Sequence, residues 1–168
     1  MVSVKSSFIN RPFYLFYLAV FVLLVFTSCS SGKKLTARQQ KINKIINTSR
    51  TFVGTPYRYG GTSQRGMDCS GLLLISFKSA NISLPRSAKE QSKIGKAVRM
   101  QQLRPGDLVF FATKKRRRKV SHAGLVTEIK GKQSIKFIHA SSSRGVVEDN
   151  LYSNYYQKAF VKARRLVF

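Results

Sequence analysis

Ile42, Ile45, Ile46 and Phe52 fall on one face of a helical wheel while Lys, Arg, Asn and Gln fill the rest. This spacing predicts an amphipathic helix over residues 37–52, ended by Gly54-Thr55-Pro56. A second pattern is apolar almost without interruption. Asp68, the small residues Ser70 and Gly71, and then Leu72, Leu73, Leu74, Ile75 and Phe77 read as an N-cap followed by a buried helix that Cys69 opens. Ser87 with Glu90 three residues on reads as a capping box for a short helix over residues 88–94, stopped by Gly95. Beyond it the period changes. Arg104-Pro105-Gly106-Asp107 is a turn leading into a buried strand over residues 108–112; further strands are predicted over 120–129, 134–141 and 160–168. In the last of these Lys162, Arg164 and Arg165 are expected to point outward, with Tyr152, Tyr155 and Tyr156 packing before it. A turn centred between Lys130 and Gly131 would set His122 opposite His139, so that the chain's two histidines share one face; a one-residue slip would separate them.

The N-terminal residues obey different rules. Lys5 and Arg11 precede an uncharged apolar run over residues 13–26, and Thr27-Ser28-Cys29 follows. The run is short for a membrane span and has the layout of an export signal. It resembles a bacterial lipoprotein signal, in which Cys29 becomes the lipidated first residue of the mature chain. An ordinary secretory signal or an uncleaved anchor are the other readings, and each still exports the domain. The organisation expected is a signal over residues 1–28, a lipidated Cys29 with a polar tether over 29–36, and one domain over 37–168, in a monomer held at the outer membrane on its periplasmic side.

Composition sharpens this picture in two ways. With Cys29 lipidated, Cys69 is the one remaining thiol, which excludes an internal disulfide scaffold; one Cys and two His make a zinc site improbable, and no cofactor is called for. The formal net charge of +25 draws the chain to polyanions, and behind an export signal those are lipid headgroups and wall carboxylates, not nucleic acid. Residues 114–119, KKRRRK, are either a solvated loop or a cationic rim three residues before His122 that attracts an acidic substrate.

Cys69 at a helix N-terminus sees the positive end of the helix dipole and unpaired N–H groups, which favour a thiolate. Alone it is as well read as a small buried hydrophobe. Joined to a pair of histidines on one sheet face, it supplies the nucleophile of a nucleophile, base and orienting-group set. Gly60, Gly61 and Gly66 allow the chain to pass close to that helix end.

Tyr57, Asp68-Cys69-Ser70-Gly71, Leu84-Pro85-Arg86, Pro105-Gly106-Asp107-Leu108, Ser121-His122-Ala123-Gly124 and His139-Ala140-Ser141 together resemble the NlpC-type family of bacterial cell-wall cysteine peptidases. The resemblance implies a papain-like α+β fold, with N-terminal helices and the nucleophile helix packed on a small antiparallel sheet. It implies Cys69 as nucleophile, His122 as base, His139 as the residue orienting His122, and the Tyr57 hydroxyl with the Cys69 N–H at the oxyanion. It implies peptidoglycan stem peptides as substrate, cut between the γ-carboxyl of D-glutamate and a diamino acid such as meso-diaminopimelate. Asp68 and Ser70 would meet a substrate amino group and Arg86 a carboxylate; the other reading is that Asp68 only caps its helix and Arg86 only solvates a loop. The competing readings are a lipid-anchored module that binds the wall or a polyanion without turnover, and an enzyme on the same fold that transfers an acyl group or cuts another amide.

Overall fold

The computed structural model describes residues 35–113 and 119–168. The signal expected over residues 1–28, Cys29, most of the tether expected over 29–36 and all of the basic run except Lys119 lie outside the described residues. No helix among the described residues is long and apolar enough to cross a membrane.

Helix α1 (Ala37–Arg50) starts at a capping box in which Thr36 Oγ1 accepts from the Gln39 N–H and the Gln39 side chain accepts from the Thr36 N–H. Its buried stripe is Ile42, Ile45, Ile46 and Ser49; the helix stops two residues short of Phe52, which packs on the core from the following turn. A small hairpin that the hydrophobic pattern does not reveal, β1 (Thr62–Ser63) with β2 (Gly66–Met67), precedes α2 (Cys69–Lys78). Helix α3 (Ala88–Gln91) is one turn long and capped by Ser87, whose hydroxyl accepts from the Glu90 N–H.

Six antiparallel strands follow: β3 (Lys96–Val98), β4 (Leu108–Phe111), β5 (His122–Gly131), β6 (Ser134–Ser141), β7 (Gly145–Asn150) and β8 (Phe160–Arg165), in the order β3-β8-β4-β5-β6-β7. Helix α4 (Asn154–Ala159) joins β7 to β8. Helices α1 and α2 cover one face, where Leu72, Leu73 and Phe77 meet Leu108, Phe110, Leu125 and Ile138. The other face gathers Val109, Phe111, Val126 and Phe137 with Tyr156 of α4. Both faces are therefore dry at β4, which is why Leu108-Val109-Phe110-Phe111 reads as an unbroken apolar run and not an alternating one. Each such side chain stabilises the fold by about 1.5–3 kcal/mol on burial. The architecture is the α+β arrangement expected, a helix carrying Cys69 laid on an antiparallel sheet that carries the histidines.

The hairpin between β5 and β6 corrects one expectation. Its turn is Lys132-Gln133, with Gly131 opposite Ser134, and two bulges then shift the register until Leu125 faces Ile138. Continuing that register sets His139 opposite Gly124, two residues from His122. Two one-residue bulges preserve the parity of the strand, so the histidines share a face as diagonal neighbours instead of a direct pair. The end of the chain differs as well. Arg165 turns inward to the buried Asp107 carboxylate, at 2.7 Å from Nε and 2.6 Å from Nη2, and the Arg164 Nε donates to the Ser92 carbonyl at 2.8 Å. Asp107 also accepts from the Arg104 N–H at 2.8 Å, so the acid of the Pro-Gly-Asp turn ties β4 to β8.

Candidate active site

Asp68 is the N-cap of α2, and its carboxylate is saturated by protein donors. Oδ1 accepts from the Gly71 N–H at 2.6 Å and the Ser70 hydroxyl at 2.9 Å, and Oδ2 from the Gly60 N–H at 2.9 Å. Arg86 lies on it as a fork, Nη1 to Oδ1 at 3.1 Å and Nη2 to Oδ2 at 2.8 Å, and Nη1 also reaches Ser70 Oγ at 3.0 Å. Burial alone would raise the Asp68 carboxyl, but the Arg86, Gly71, Ser70 and Gly60 hydrogen bonds outweigh it and hold the pKa below the usual value. The carboxylate that Arg86 clamps is thus the protein's own. Gln91, fully buried, secures this corner by donating to the Ser70 and Pro85 carbonyls at 3.1 and 2.9 Å, pinning the Leu84-Pro85-Arg86 loop to the first turn of α2.

Cys69 follows Asp68 into the helix and is buried. Its thiol lies against backbone N–H groups of Ala123, Ser70 and Cys69 itself; Ala123 is the residue after His122, so the sulfur sits at the start of β5. Those amides lower its pKa, yet burial pushes the thiol up to about 11, helped by the nearby Asp68 charge. The thiolate expected from the helix dipole alone is therefore not the resting form, because removal from water outweighs the helix-end N–H groups.

His122 Nε2 lies 2.9 Å from His139 Nδ1, the rings meeting edge to face with centroids 4.9 Å apart. His139 is fully buried, and its Nε2 lies 3.0 Å from Asp149 Oδ2 and 3.0 Å from the Tyr156 hydroxyl. Asp149 is gripped in turn by Arg144, Nη1 to Oδ1 at 3.2 Å and Nη2 to Oδ2. Burial, then the neighbouring His139, push His122 down to about 3. Burial also lowers His139, against the opposing pull of Asp149. Burial would raise Asp149, but Arg144 and then His139 hold it down to about 2. At neutral pH the site holds a thiol, two neutral imidazoles and an ionised carboxylate.

A cleft of about 380 Å³ opens over Cys69, lined by Tyr57, Asp68, Ser70, Arg86, Val120 and Ser121 among others. Burial, and next the Cys69 and Asp68 charges, raise the Tyr57 phenol, which stays protonated as a donor. The structure thus gathers Tyr57, Asp68, Cys69, Ser70 and Arg86 around one cleft, with His122 and His139 beside it. Sequence reasoning missed Asp149, Arg144 and the polar role of Tyr156, all outside the motifs. A signal was available: Gly145-Val146-Val147 after the Ser141-Ser142-Ser143 turn is a short strand, and its pairing sets His139 opposite Val147 and brings Asp149 onto the same face.

Residues 54–165 match the model described as the NlpC/P60 family. The chain is 35% identical over 158 residues to the "Probable endopeptidase NlpC" of Escherichia coli (strain K12), covering 90% of this chain and 99% of that protein. It is 36% identical over 126 residues to the "Murein DD-endopeptidase MepS/Murein LD-carboxypeptidase" of the same organism, covering 74% of this chain and 63% of the relative. The "Gamma-D-glutamyl-L-lysine dipeptidyl-peptidase" of Bacillus subtilis (strain 168) is 37% identical over 100 residues, 60% of this chain and 34% of the relative. Among solved structures, an NlpC/P60 family protein from Bacillus cereus ATCC 10987 superposes with a TM-score of 0.66 at 35% identity, over 74% of this chain and 39% of that one.

Proposed function

The chain belongs to the NlpC/P60 family, and we propose that it is a peptidoglycan endopeptidase in which Cys69 is the nucleophile, His122 the general base and acid, and His139 the group that orients His122. The observation that carries this reading is the hydrogen-bonded pair His122 Nε2 to His139 Nδ1 at 2.9 Å, with the residue after His122, Ala123, setting its backbone N–H against the Cys69 thiol at a helix N-terminus. The bond cut is the amide between the γ-carboxyl of D-glutamate and a diamino acid. Relatives whose names specify a D,D bond and a γ-glutamyl bond support amide hydrolysis in stem peptides.

Both partners start neutral, so proton transfer accompanies attack. As Sγ adds to the carbonyl carbon, its proton passes to His122 Nδ1, and the oxyanion meets the Cys69 N–H and the Tyr57 hydroxyl. One such donor is worth about 3 kcal/mol. Collapse breaks the C–N bond while His122 returns the proton to the leaving amine, leaving a thioester. Water then attacks the thioester with His122 as base, releasing the acid and restoring the thiol. Ser70 and the outer edge of Arg86 border the cleft where substrate polar groups would lie, and Asp68 serves chiefly to hold both.

Export and attachment to a membrane through a lipid on Cys29, with the domain facing the wall as a monomer, complete the reading; the apolar run before Thr27-Ser28-Cys29 supports it. The test uses full-length protein and its Cys69→Ala variant, incubated with purified peptidoglycan, the soluble fragments being read by mass spectrometry. Fragments ending at D-glutamate and present only with Cys69 are expected. Fragments ending at D-alanine would replace the γ-glutamyl bond with a D,D bond. No Cys69-dependent fragments, with wall binding intact, would replace the enzyme with a binding module.

A further inference from the structure

The orienting histidine has two possible tautomers, and only one makes His122 a base toward the cleft. If His139 carries its proton on Nε2, its Nδ1 accepts from His122 Nε2–H, and His122 Nδ1 is left with a free lone pair. If His139 carries it on Nδ1, it donates to His122 Nε2, and the His122 proton moves to Nδ1, where a base is needed. The atoms around His139 Nε2 decide between these. Tyr156 Oη, 3.0 Å away, can donate or accept and so selects neither state. Asp149 Oδ2, also 3.0 Å away, can only accept.

We infer that Asp149, held by Arg144, is a positioning residue that locks His139 in its Nε2–H tautomer and so points the basic nitrogen of His122 at Cys69. This rests on the reading of His122 as the base. The relay runs across three adjacent strands, each link a diagonal neighbour: His122 on β5, His139 on β6, Asp149 on β7. Arg144, in the turn between β6 and β7, grips both carboxylate oxygens and fixes the carboxylate's position. The depressed pKa of Asp149 keeps it an acceptor throughout the working range. Tyr156, from α4, is then compelled to offer its oxygen to Nε2–H and its proton to the carboxylate beside it. The charged and titratable groups facing His139 are thus His122, Asp149, Arg144 behind it, and Tyr156.

The isosteric Asp149→Asn change reverses the lock. Arg144 has only donors, so it captures the Asn oxygen, and the Asn NH₂ turns to His139 Nε2 as a donor. Full-length protein labelled with ¹⁵N-histidine, read by long-range ¹H–¹⁵N correlation at pH 7, reports each tautomer directly. Expected are an Nε2–H His139 in the wild type, an Nδ1–H His139 in Asp149→Asn, and a fall of kcat of at least tenfold with KM within twofold. Tyr156→Phe should leave the wild-type tautomer. A wild-type His139 protonated on Nδ1 overturns the inference without any variant, and so does an Asp149→Asn protein with unchanged tautomer or unchanged kcat. The same spectra recorded in Cys69→Ala separate the two readings. If Cys69→Ala still hydrolyses the wall the nucleophile assignment fails, while the tautomers still judge Asp149.

Discussion

Gly124, two residues beyond His122, is where the packing of the sheet and the chemistry of the site are most tightly coupled. A Cβ added there would lie 2.6 Å from Phe137 Cδ2, 3.1 Å from Cε2 and 3.0 Å from the Ile138 carbonyl oxygen. An ordinary carbon–carbon contact is about 3.5–4.0 Å, so the ring must move by roughly 1 Å. It has nowhere to go. Phe137 is fully buried, stacked on His139 with centroids 4.8 Å apart and 17° between planes, and wedged against Tyr156 at 4.8 Å. Overpacking of this kind costs about 1–3 kcal/mol, and the gain from removing a strand glycine returns only about 0.5–1. The net loss of about 1–2 kcal/mol corresponds to a fall in Tm of roughly 4–8 °C for a domain of this size. Function should suffer more than stability. The His122–His139 bond is 2.9 Å, and about 0.3 Å of displacement takes it beyond good hydrogen-bond length. A misplacement of order 1 Å at such a site costs up to about 10²-fold in rate. Gly124→Ala is measured by calorimetry and by turnover of purified stem peptide, with Gly124→Ala/Phe137→Leu as the relieving variant. Unchanged Tm and kcat in the single variant would refute the argument.

Three further outcomes follow from the electrostatics. His122 and His139 are held neutral in the fold and gain protons when the chain unfolds, so stability is lost as pH falls below about 6.5. For His122, with a folded pKa of about 3, the loss reaches about 2 kcal/mol at pH 5, and urea titrations at pH 7 and 5 that gave equal stability would contradict this. With the thiol pushed up to about 11, iodoacetamide should label Cys69 at pH 7 on the order of 10²-fold more slowly than free cysteine, and faster as pH rises; labelling at or above the free rate would contradict a buried neutral thiol, and labelling well above it would mean a resting thiolate paired with His122. Arg86→Met should destabilise by about 1–2 kcal/mol, less than the 3–5 of a dry pair, because the Arg86 side chain is 44% exposed and Asp68 keeps three other donors; a chemical denaturation midpoint shifted by more than that would point to a drier pair.

Local signals carried a large share of this structure. The 3.6-residue stripe of α1, the Asp68 cap, the Ser87 cap and the Pro-Gly-Asp turn each depend on neighbours a few residues apart, and all are found where the pattern sets them. The motifs around Tyr57, Asp68-Cys69-Ser70 and Arg86 line one cleft with Ser121, and His122 and His139 lie beside it. What was illegible depends on pairing between distant segments. The turn of the β5–β6 hairpin lies two residues beyond the expected one and alone would set His139 opposite Val126; two bulges bring it back to Gly124, so the direct histidine pair becomes a diagonal one on the same face. The Arg86 fork went to Asp68 because the fold brings them together before any substrate arrives.

The amino-acid order by itself picked out the candidate site residues and determined the elements that hold them, since caps, turns and periodicity act over one or two turns of chain. Only the tertiary structure decided the state of those groups. Burial, a property of the whole packed domain, reversed the thiolate that a helix end alone would favour. And Asp149, brought beside His139 by β7 pairing, came from a stretch with no motif at all.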